Sequence, residues 1–304
     1  TQSKNTSNPI RKIVDQMKPS KPSTKSFLAL SIGDPTIDGN LLPPKNVEEV
    51  MIKNINEHKH NGYPPSVGYP AARNAVAKHW VSNFTSKNPS AAAEITGEKV
   101  ILASGASHAL LIAIGAVADP GDNILLPEPC FSLYSTILDN HGITAKYYKC
   151  DPANNWECDL EAMASLVNTK TKAILINNPS NPCGSNFNRK HVEDILAVAE
   201  EKKVMIISDE IYAGLVFKGE EFTSVSDVVC DVPRIIIGGL AKKYLVPGWR
   251  MGWLLTVDPK NVLCDVVKGM VALTTLIVGP NSIAQSVIDE AVNNTPEEYI
   301  QDLK

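Results

Sequence analysis

The sequence has no long hydrophobic run and no excess of positive charge. The longest near-continuous apolar stretch runs from Ala109 to Ala118, about half of the roughly 20 residues that a membrane-spanning helix requires. The 304 residues carry a formal net charge of -4, so the chain lacks the basic field that attracts the phosphates of nucleic acids or anionic lipids. These absences exclude a membrane-spanning helix and argue against a nucleic-acid partner.

The motifs of several metal and cofactor sites are also missing. The six cysteines include no CxxC pair and have no metal-ligand spacing with the six histidines, so neither zinc nor a disulfide framework is indicated, and we expect isolated buried thiols. No GxGxxG follows the first predicted strand, which argues against a nicotinamide-dependent dehydrogenase. The first 25 residues are polar and contain no apolar signal core, so we expect a cytoplasmic protein, with the mitochondrion not excluded.

Short apolar runs separated by helical patterns recur through the middle of the chain. The runs are VILAS, NILLP, AILIN, VMIIS, RIIIGG and GWLLTV, each bounded by turn residues and each typical of a buried strand. Between two of them, Val192, Ile195, Leu196 and Ala199 follow the spacing of an amphipathic helix. Alternation of this kind predicts an α/β fold with a mostly parallel sheet covered by helices on both faces.

Ligands of such sheets bind beyond the carboxyl ends of the strands, so the residues that follow each run are candidates for a site. After VILAS the chain turns at Gly105 and begins a helix near Ala106, which suits a phosphate, although the segment is equally typical of an ordinary tight turn. Phe131 could stack on a planar cofactor or simply pack in the core. In NNPSNPCG, two prolines could hold Asn181 towards a ligand or merely shape a loop.

The last two strand ends carry ionisable groups. Asp209 and Tyr212 are three residues apart after VMIIS, so both side chains can lie on one side of the emerging turn. Lys242 follows RIIIGG and precedes Arg250 by eight residues. A lysine amine can act as a covalent nucleophile, and a guanidinium suits phosphate.

Taken together, these blocks resemble the pyridoxal-phosphate-dependent aminotransferases of fold type I, subgroup I, and look most similar to the tyrosine aminotransferases. The matching strings extend from about Asn8 to the end of the sequence, and in order they are SIGDPT, NGYPPSVGYPAAR, ASGASHAL, PEPCFSLY, NNPSNPCGSNF, SDEIYAG and GGLAKKYLVPGWRMGW. The most specific are NNPSNPCG and LVPGWR.

The resemblance implies a role for each residue at the strand ends. Lys242 would bond to the aldehyde of pyridoxal 5'-phosphate and then carry the proton, and Asp209 would pair with the ring nitrogen. The other implied cofactor contacts are Asn181 and Tyr212 to the ring oxygen, Phe131 stacked on the ring, and Ala106, Ser107 and Arg250 to the phosphate. Tyr63 would reach the phosphate of a partner subunit, which implies a homodimer with shared sites. Gly33, with Asn181, would line the substrate pocket, and no metal is implied.

The resemblance also implies the domain organisation. The fold expected is a mostly parallel seven-stranded sheet flanked by helices, with a partial small α+β domain. Residues 1–45 would form an N-terminal arm and the first part of the small domain, residues 46–281 the cofactor-binding large domain, and residues 282–304 the start of a linking helix. Relatives continue beyond the point that corresponds to Lys304, so the arginine for the substrate carboxylate is expected there. Gly239 stands where many relatives have a serine that binds phosphate, which removes one expected hydroxyl contact.

The activity implied is a ping-pong transfer of an amino group from an L-amino acid, tyrosine or another aromatic, to a 2-oxo acid such as 2-oxoglutarate. Two alternatives remain open at this point. Carbon-sulfur lyases and aminocyclopropane-carboxylate synthases share the lysine, the aspartate and the phosphate ligands. A non-catalytic sensor module is the other alternative, although the residues before Asn8 are too few for the DNA-binding domain that such proteins carry.

Overall fold

A computed structural model describes residues 6, 8–17, 33–36, 39 and 41–304 of the chain. Most of the segment 1–45, predicted to be an arm and part of a small domain, therefore lies outside the described residues. Among the described residues, no helix is long and apolar enough to cross a membrane. The cellular compartment stays a prediction.

One mixed sheet organises the described chain. Its strands are β1 (Val100–Ala103), β2 (Asn123–Glu128), β3 (Thr144–Asp151), β4 (Glu157–Cys158), β5 (Thr171–Asn177), β6 (Met205–Asp209), β7 (Arg234–Gly239) and β8 (Gly252–Val257). They lie side by side in the order β1-β8-β7-β6-β5-β2-β3-β4. The pairs from β3 through β2, β5 and β6 to β7 are parallel, whereas β8 runs antiparallel to both of its neighbours and β4 antiparallel to β3.

The sequence prediction of the sheet is confirmed for all six apolar runs and is wrong in the number of strands. The sheet has eight strands where seven were expected, because the two-residue β4 pairs with the end of β3. None of the six apolar runs covers β3 or β4. Strand β3 carries exposed or partly exposed residues at most of its positions, as an outer strand can, so its sequence has no continuous apolar run.

Helices cover both faces of the sheet. In chain order they are α1 (Pro9–Val14), α2 (Lys45–Glu57), α3 (Pro70–Phe84), α4 (Pro89–Glu94), α5 (Ala106–Val117), α6 (Leu133–His141), α7 (Leu160–Leu166), α8 (Arg189–Lys202), α9 (Cys264–Thr274), α10 (Ser282–Gln285), α11 (Ile288–Asn294) and α12 (Glu297–Asp302). Two apolar clusters form the core, and consecutive strand residues alternate between them; Ile206 belongs to one cluster and Ile207 to the other. This alternation is expected of strands that are buried on both faces.

The segment after residue 281 packs against two helices from the first third of the chain. Helix α11 lies against α2 and α3, and the Asn46 amide donates to the Glu290 carboxylate at 2.7 Å. The Asn54 amide likewise donates to the Ser286 hydroxyl at 2.8 Å. The division of the chain at residues 45 and 281 stays a prediction.

Candidate active site

The carboxyl ends of β5, β6 and β7 meet at one edge of the sheet. Asn177 at the end of β5 is in register with Asp209 at the end of β6, and Asp209 is in register with Ile237 of β7. Because parallel strands end together at the same edge, residues that are distant in sequence are brought into one place. The loops that leave this edge carry most of the predicted site residues.

Asp209 is a buried carboxylate with specific partners. It is 3% exposed and accepts a hydrogen bond from the Tyr134 hydroxyl at 2.7 Å and another from the Ile211 N–H at 3.2 Å. Burial raises the pKa of Asp209 to about 6, although these two hydrogen bonds and the positive charge of Lys242 act to lower it. A cation near this carboxylate therefore stabilises its ionised form.

Tyr134 is a site residue that the sequence analysis did not identify. It is fully buried on α6, and its ring meets that of Phe131 edge to face, with the centroids 5.8 Å apart. Burial, followed by the charge of Asp209, raises the pKa of Tyr134 well above its ordinary value, so its hydroxyl keeps its proton and remains a donor. The block PEPCFSLY contained this residue, but nothing in its spacing distinguishes a phenol that supports a carboxylate from one that packs in the core.

Asn177 was also missed, and it connects the Asn181 loop to Asp209. Its side-chain oxygen accepts from the Asn181 N–H at 2.7 Å, and its amide donates to the Asp209 carbonyl at 3.0 Å. Asn177 is buried, whereas Asn181 is partly exposed. The loop that presents Asn181 is thus fixed to the end of β6 by a side chain at the end of β5.

The structure distinguishes the two adjacent lysines after β7. The Lys242 ammonium lies 5.6 Å from the centroid of the Tyr212 ring, and its charge acts on Asp209. The Lys243 ammonium instead lies over the rings of Phe84, at 5.8 Å, and Tyr244, at 5.9 Å. Burial lowers the pKa of Lys243 to about 8. Lys242 is therefore the lysine that shares the site with Asp209 and Tyr212.

The start of α5 and Arg250 form a second part of the site. The Arg250 guanidinium donates to the Ser107 hydroxyl at 2.9 Å and to the Pro247 carbonyl at 2.9 Å. Helix α5 begins at Ala106 after Gly105, whose φ is 82°, and no side chain of the described residues caps it. The free N–H groups and the positive end of the helix dipole, together with Arg250 and Ser107, are groups that suit an anion.

Two glycines allow Arg250 and the backbone of β8 to lie close to the start of α5. A Cβ on Gly105 would lie 2.5 Å from the Arg250 guanidinium, and a Cβ on Gly252 would lie 2.5 Å from the Gly105 carbonyl carbon and 2.6 Å from the Ala106 nitrogen. The start of α5 therefore rests directly on the backbone of β8, and Arg250 lies across Gly105.

Two predicted residues are exposed in the single chain. Tyr63 is 90% exposed, so little of its side chain packs against its own chain. Gly33 is exposed, with no atom of the described residues within 4 Å of its Cβ position. The neighbouring Asp34 nevertheless experiences the charge of Lys242: hydrogen bonds from Thr36 are the main cause of its lowered pKa, and Lys242 contributes.

A cavity of about 870 Å³ opens beside the site. Asn181 and Tyr212 line it on one side, and Trp156, Phe217 and Lys304 line other parts of it. In the part of the chain that the structure describes, no group of three or more His, Cys, Asp or Glu side chains could hold a metal ion. The arrangement offers a lysine amine, a buried carboxylate and a group of donors that suit an anion along one edge, next to space for a ligand.

Comparisons with known proteins agree with this geometry. Residues 25–304 match the family model "Aminotransferase class I and II". The chain is 42% identical over 301 residues to tyrosine aminotransferase of Mus musculus and 43% identical over 298 residues to that of Caenorhabditis elegans. It covers 99% and 98% of itself in these matches but only 64% and 62% of the relatives. The crystal structure of tyrosine aminotransferase from Leishmania infantum superposes with a TM-score of 0.94 at 45% identity, covering 99% of this chain and 73% of that one.

Replacing Tyr134 with Phe should change both the stability of the chain and its pH dependence. Because the pKa of Asp209 is raised on folding, the folded chain retains a proton that the unfolded chain releases, and stability falls as pH rises from the ordinary carboxyl pKa of 3.8 to about 6. Losing the Tyr134 hydrogen bond should raise this pKa further, extend the fall to higher pH, and destabilise the fold by about 1 to 3 kcal/mol. Urea unfolding measured across this pH range tests both effects.

Tyr148→Phe is the matched control for that variant. Tyr148 is as buried as Tyr134, but its hydroxyl donates to the Leu175 carbonyl. We expect the Tyr148→Phe variant to be less stable, but we expect the pH range over which stability falls to stay the same. If stability fell over the same pH range in both variants, a specific effect of Tyr134 on Asp209 would be contradicted.

Replacing Gly252 with Ala should disrupt the anion site, because the added methyl would collide with the backbone at Gly105 and Ala106. We expect a destabilisation of about 1 to 3 kcal/mol and weaker binding of inorganic phosphate, measured by thermal unfolding with increasing phosphate. Gly248→Ala is the control, since nothing lies within 4 Å of a Cβ at that position. Unchanged phosphate stabilisation in Gly252→Ala would show that this contact does not shape the site.

Proposed function

Because the chain belongs to the aminotransferase class I and II family, we propose that this site binds pyridoxal 5'-phosphate and that the full protein is an aminotransferase. It moves an amino group from an L-amino acid, tyrosine or another aromatic, to a 2-oxo acid such as 2-oxoglutarate. The observation that carries the proposal is that the turn after β7, which carries Lys242, leaves the sheet beside the buried carboxylate of Asp209, at the same sheet edge as the pair Arg250 and Ser107.

The residues present fit the phosphate end of this cofactor. Arg250 offers a planar pair of donors, Ser107 a hydroxyl, and the first N–H groups of α5 a preformed anion site. Ala106 contributes through its backbone. Without side chains, Gly105 and Gly252 allow Arg250 and the backbone of β8 to lie against the start of α5, which brings these donors together.

The residues also fit the ring. Hydrogen bonds from Tyr134 and the Ile211 N–H and the charge of Lys242 favour the ionised form of Asp209 against the effect of burial, and this carboxylate is the proposed partner that keeps a ring nitrogen protonated. Asn181 and Tyr212 are the proposed partners of the ring oxygen, and Phe131 is the proposed stacking residue. All of these lie on loops or helices that begin at the carboxyl ends of β2, β5 and β6.

When bound, pyridoxal phosphate supplies an aldehyde that bonds reversibly to amines and a ring that accepts the electrons released at the substrate α-carbon. Lys242 would hold the cofactor through its amine, and the same amine would carry the proton to and from the substrate α-carbon. Tyr212 lies against Lys242 and helps to orient its amine. Asp209 keeps its negative charge throughout.

Substrate recognition is proposed for the segment 33–36 together with Asn181. Gly33 lies next to Asp34, which experiences the charge of Lys242, so the segment 33–36 is close enough to line a substrate pocket together with Asn181. The amino donor and the 2-oxo acid are proposed from the named relatives.

A homodimer is proposed from a patch of exposed apolar side chains. This apolar face consists of Tyr63, Leu276, Ile277 and Val278, which are 46% to 90% exposed. Tyr63, Ile277 and Val278 line a cavity of about 250 Å³. A contiguous exposed apolar surface favours association, and a second copy placed here would allow Tyr63 to reach the phosphate of its partner.

The other enzymes considered from the sequence would use the same lysine and aspartate. The relatives named above favour an aminotransferase over a carbon-sulfur lyase, an aminocyclopropane-carboxylate synthase or a sensor module. An assay of tyrosine with 2-oxoglutarate, run beside assays for released ammonia and thiol, separates these activities.

Replacing Lys242 with Ala should abolish activity, because the residue is both the amine that binds the cofactor and the proton carrier. In the full-length protein we expect turnover of tyrosine with 2-oxoglutarate to fall by at least the roughly 10²- to 10⁴-fold that proton transfer contributes. In the 304-residue chain, incubation with pyridoxal phosphate, borohydride reduction and peptide mapping should place the label on Lys242. Lys243→Met is the control and should keep that label, whereas a label on Lys243 would contradict the assignment.

Replacing Leu276 with Asp should dissociate the proposed dimer, since a charge would be buried at its interface. Leu276 is 77% exposed in the single chain, so the fold itself should be unaffected. Sedimentation analysis should show a dimer for the unmodified chain and a monomer for this variant. Val229→Asp, at another exposed apolar residue, should remain dimeric, and a monomeric unmodified chain would contradict the proposal.

A further inference from the structure

Two of the six cysteines lie directly opposite each other where the outermost strand, β4, pairs with β3. Cys150 near the end of β3 is in register with Cys158 at the end of β4. Both are free thiols, and they are 8% and 6% exposed. The expectation of isolated thiols is therefore wrong for this pair, because the short strand β4, which the sequence does not reveal, brings the two together.

The position of this pair in the ladder brings the side chains close together. The adjacent Lys149 carbonyl accepts a hydrogen bond from the Asp159 N–H at 2.9 Å. Hydrogen-bonded and non-hydrogen-bonded pairs alternate along an antiparallel ladder, so Cys150 and Cys158 form a non-hydrogen-bonded pair, in which the Cα atoms are typically about 4.5 Å apart. That separation lies within the range of about 4.4 to 6.8 Å that a disulfide requires.

The two thiols of the pair interact with each other and with neighbouring cysteines. The two thiols hydrogen-bond each other, which lowers the pKa of Cys150 and raises that of Cys158. Two further cysteines lie close enough to Cys150 to interact with its charge: burial raises the pKa of Cys130 to about 11 and raises that of Cys183 as well. The thiolate is the reactive form of a cysteine, and the contact between the two sulfurs favours its formation within this pair.

We propose that Cys150 and Cys158 are an oxidation site at which a hydroperoxide produces a disulfide between β3 and β4. The thiolate of one cysteine attacks an oxygen of hydrogen peroxide and becomes a sulfenic acid, while the O–O bond breaks and the leaving hydroxide takes a proton to form water. The thiol of the other cysteine then displaces the sulfenic hydroxyl as a second water, which forms the S–S bond. The two sulfurs together lose two electrons, and hydrogen peroxide is reduced to two molecules of water.

The bond would fix one wall of the large cavity. The chain between the two cysteines contains Trp156 and Glu157, which line the same cavity as Asn181 and Tyr212. The register between β3 and β4 comprises only two residue pairs, so few backbone contacts hold this wall in place. A disulfide would tie it to β3, and through β3 to the rest of the sheet.

Peptide mapping of the oxidised chain tests the proposal. The reduced 304-residue chain is exposed to hydrogen peroxide, the remaining thiols are alkylated, and the digest is analysed by mass spectrometry. We expect a cross-linked peptide that contains Cys150 and Cys158, two hydrogens lighter than the sum of its parts and released by dithiothreitol. This measurement needs no substitution, so it does not depend on the folding of a variant.

Two variants provide the controls. Cys150→Ser should abolish the cross-link and leave Cys158 open to alkylation, whereas Cys264→Ser, at an exposed position, should retain it. A cross-link from Cys150 to Cys130 or Cys183 would overturn the proposal. It would also be overturned if Cys150 and Cys158 remained fully alkylated under conditions that oxidise Cys264.

Discussion

The arrangement of the site depends on one buried negative charge, that of Asp209. A carboxylate inside a sheet that is apolar on both faces is unfavourable unless donors and a cation compensate for the lost water. Here the compensation comes from Tyr134 on α6, from the backbone at Ile211, and from Lys242 after β7. Each partner is carried by a different part of the chain, so the carboxylate also fixes the relative positions of those parts.

The sheet topology explains why these partners meet. Strands β2, β5, β6 and β7 are parallel neighbours, so the loops that follow them leave from one edge. Strand β8 returns antiparallel beside β7, and its Gly252 supports the start of α5. The anion site of Arg250 and Ser107 is thus attached to the same edge as Lys242, although the two halves are contributed by distant segments.

Much of this was predictable from sequence, and the exceptions have physical reasons. Apolar runs reveal strands that are buried on both faces, which is why six strands were identified, whereas β3 is an outer strand with a polar sequence. Polar residues at strand ends indicated Asp209, Asn181 and Lys242. Tyr134 and Asn177 were missed because they bind other protein groups, and a pattern of residue types does not show which phenol or amide has such a partner. Spacing alone could not decide between Lys242 and Lys243 either, since the direction of each side chain depends on the turn after β7.

The contrast between Asp209 and its neighbour Glu210 shows how the fold concentrates charge at the site. Burial raises both pKa values, to about 6 for Asp209 and about 7 for Glu210. Glu210 accepts hydrogen bonds from Ser208 and the Val225 N–H through one oxygen, while its other oxygen has no partner among the described residues. The negative charge of Asp209 also raises the pKa of Glu210. Since Lys242 lowers the pKa of Asp209, ionisation of Asp209 is favoured and makes ionisation of Glu210 more costly. The charge that the fold favours at this pair of carboxylates is therefore that of Asp209, whose pKa Lys242 lowers.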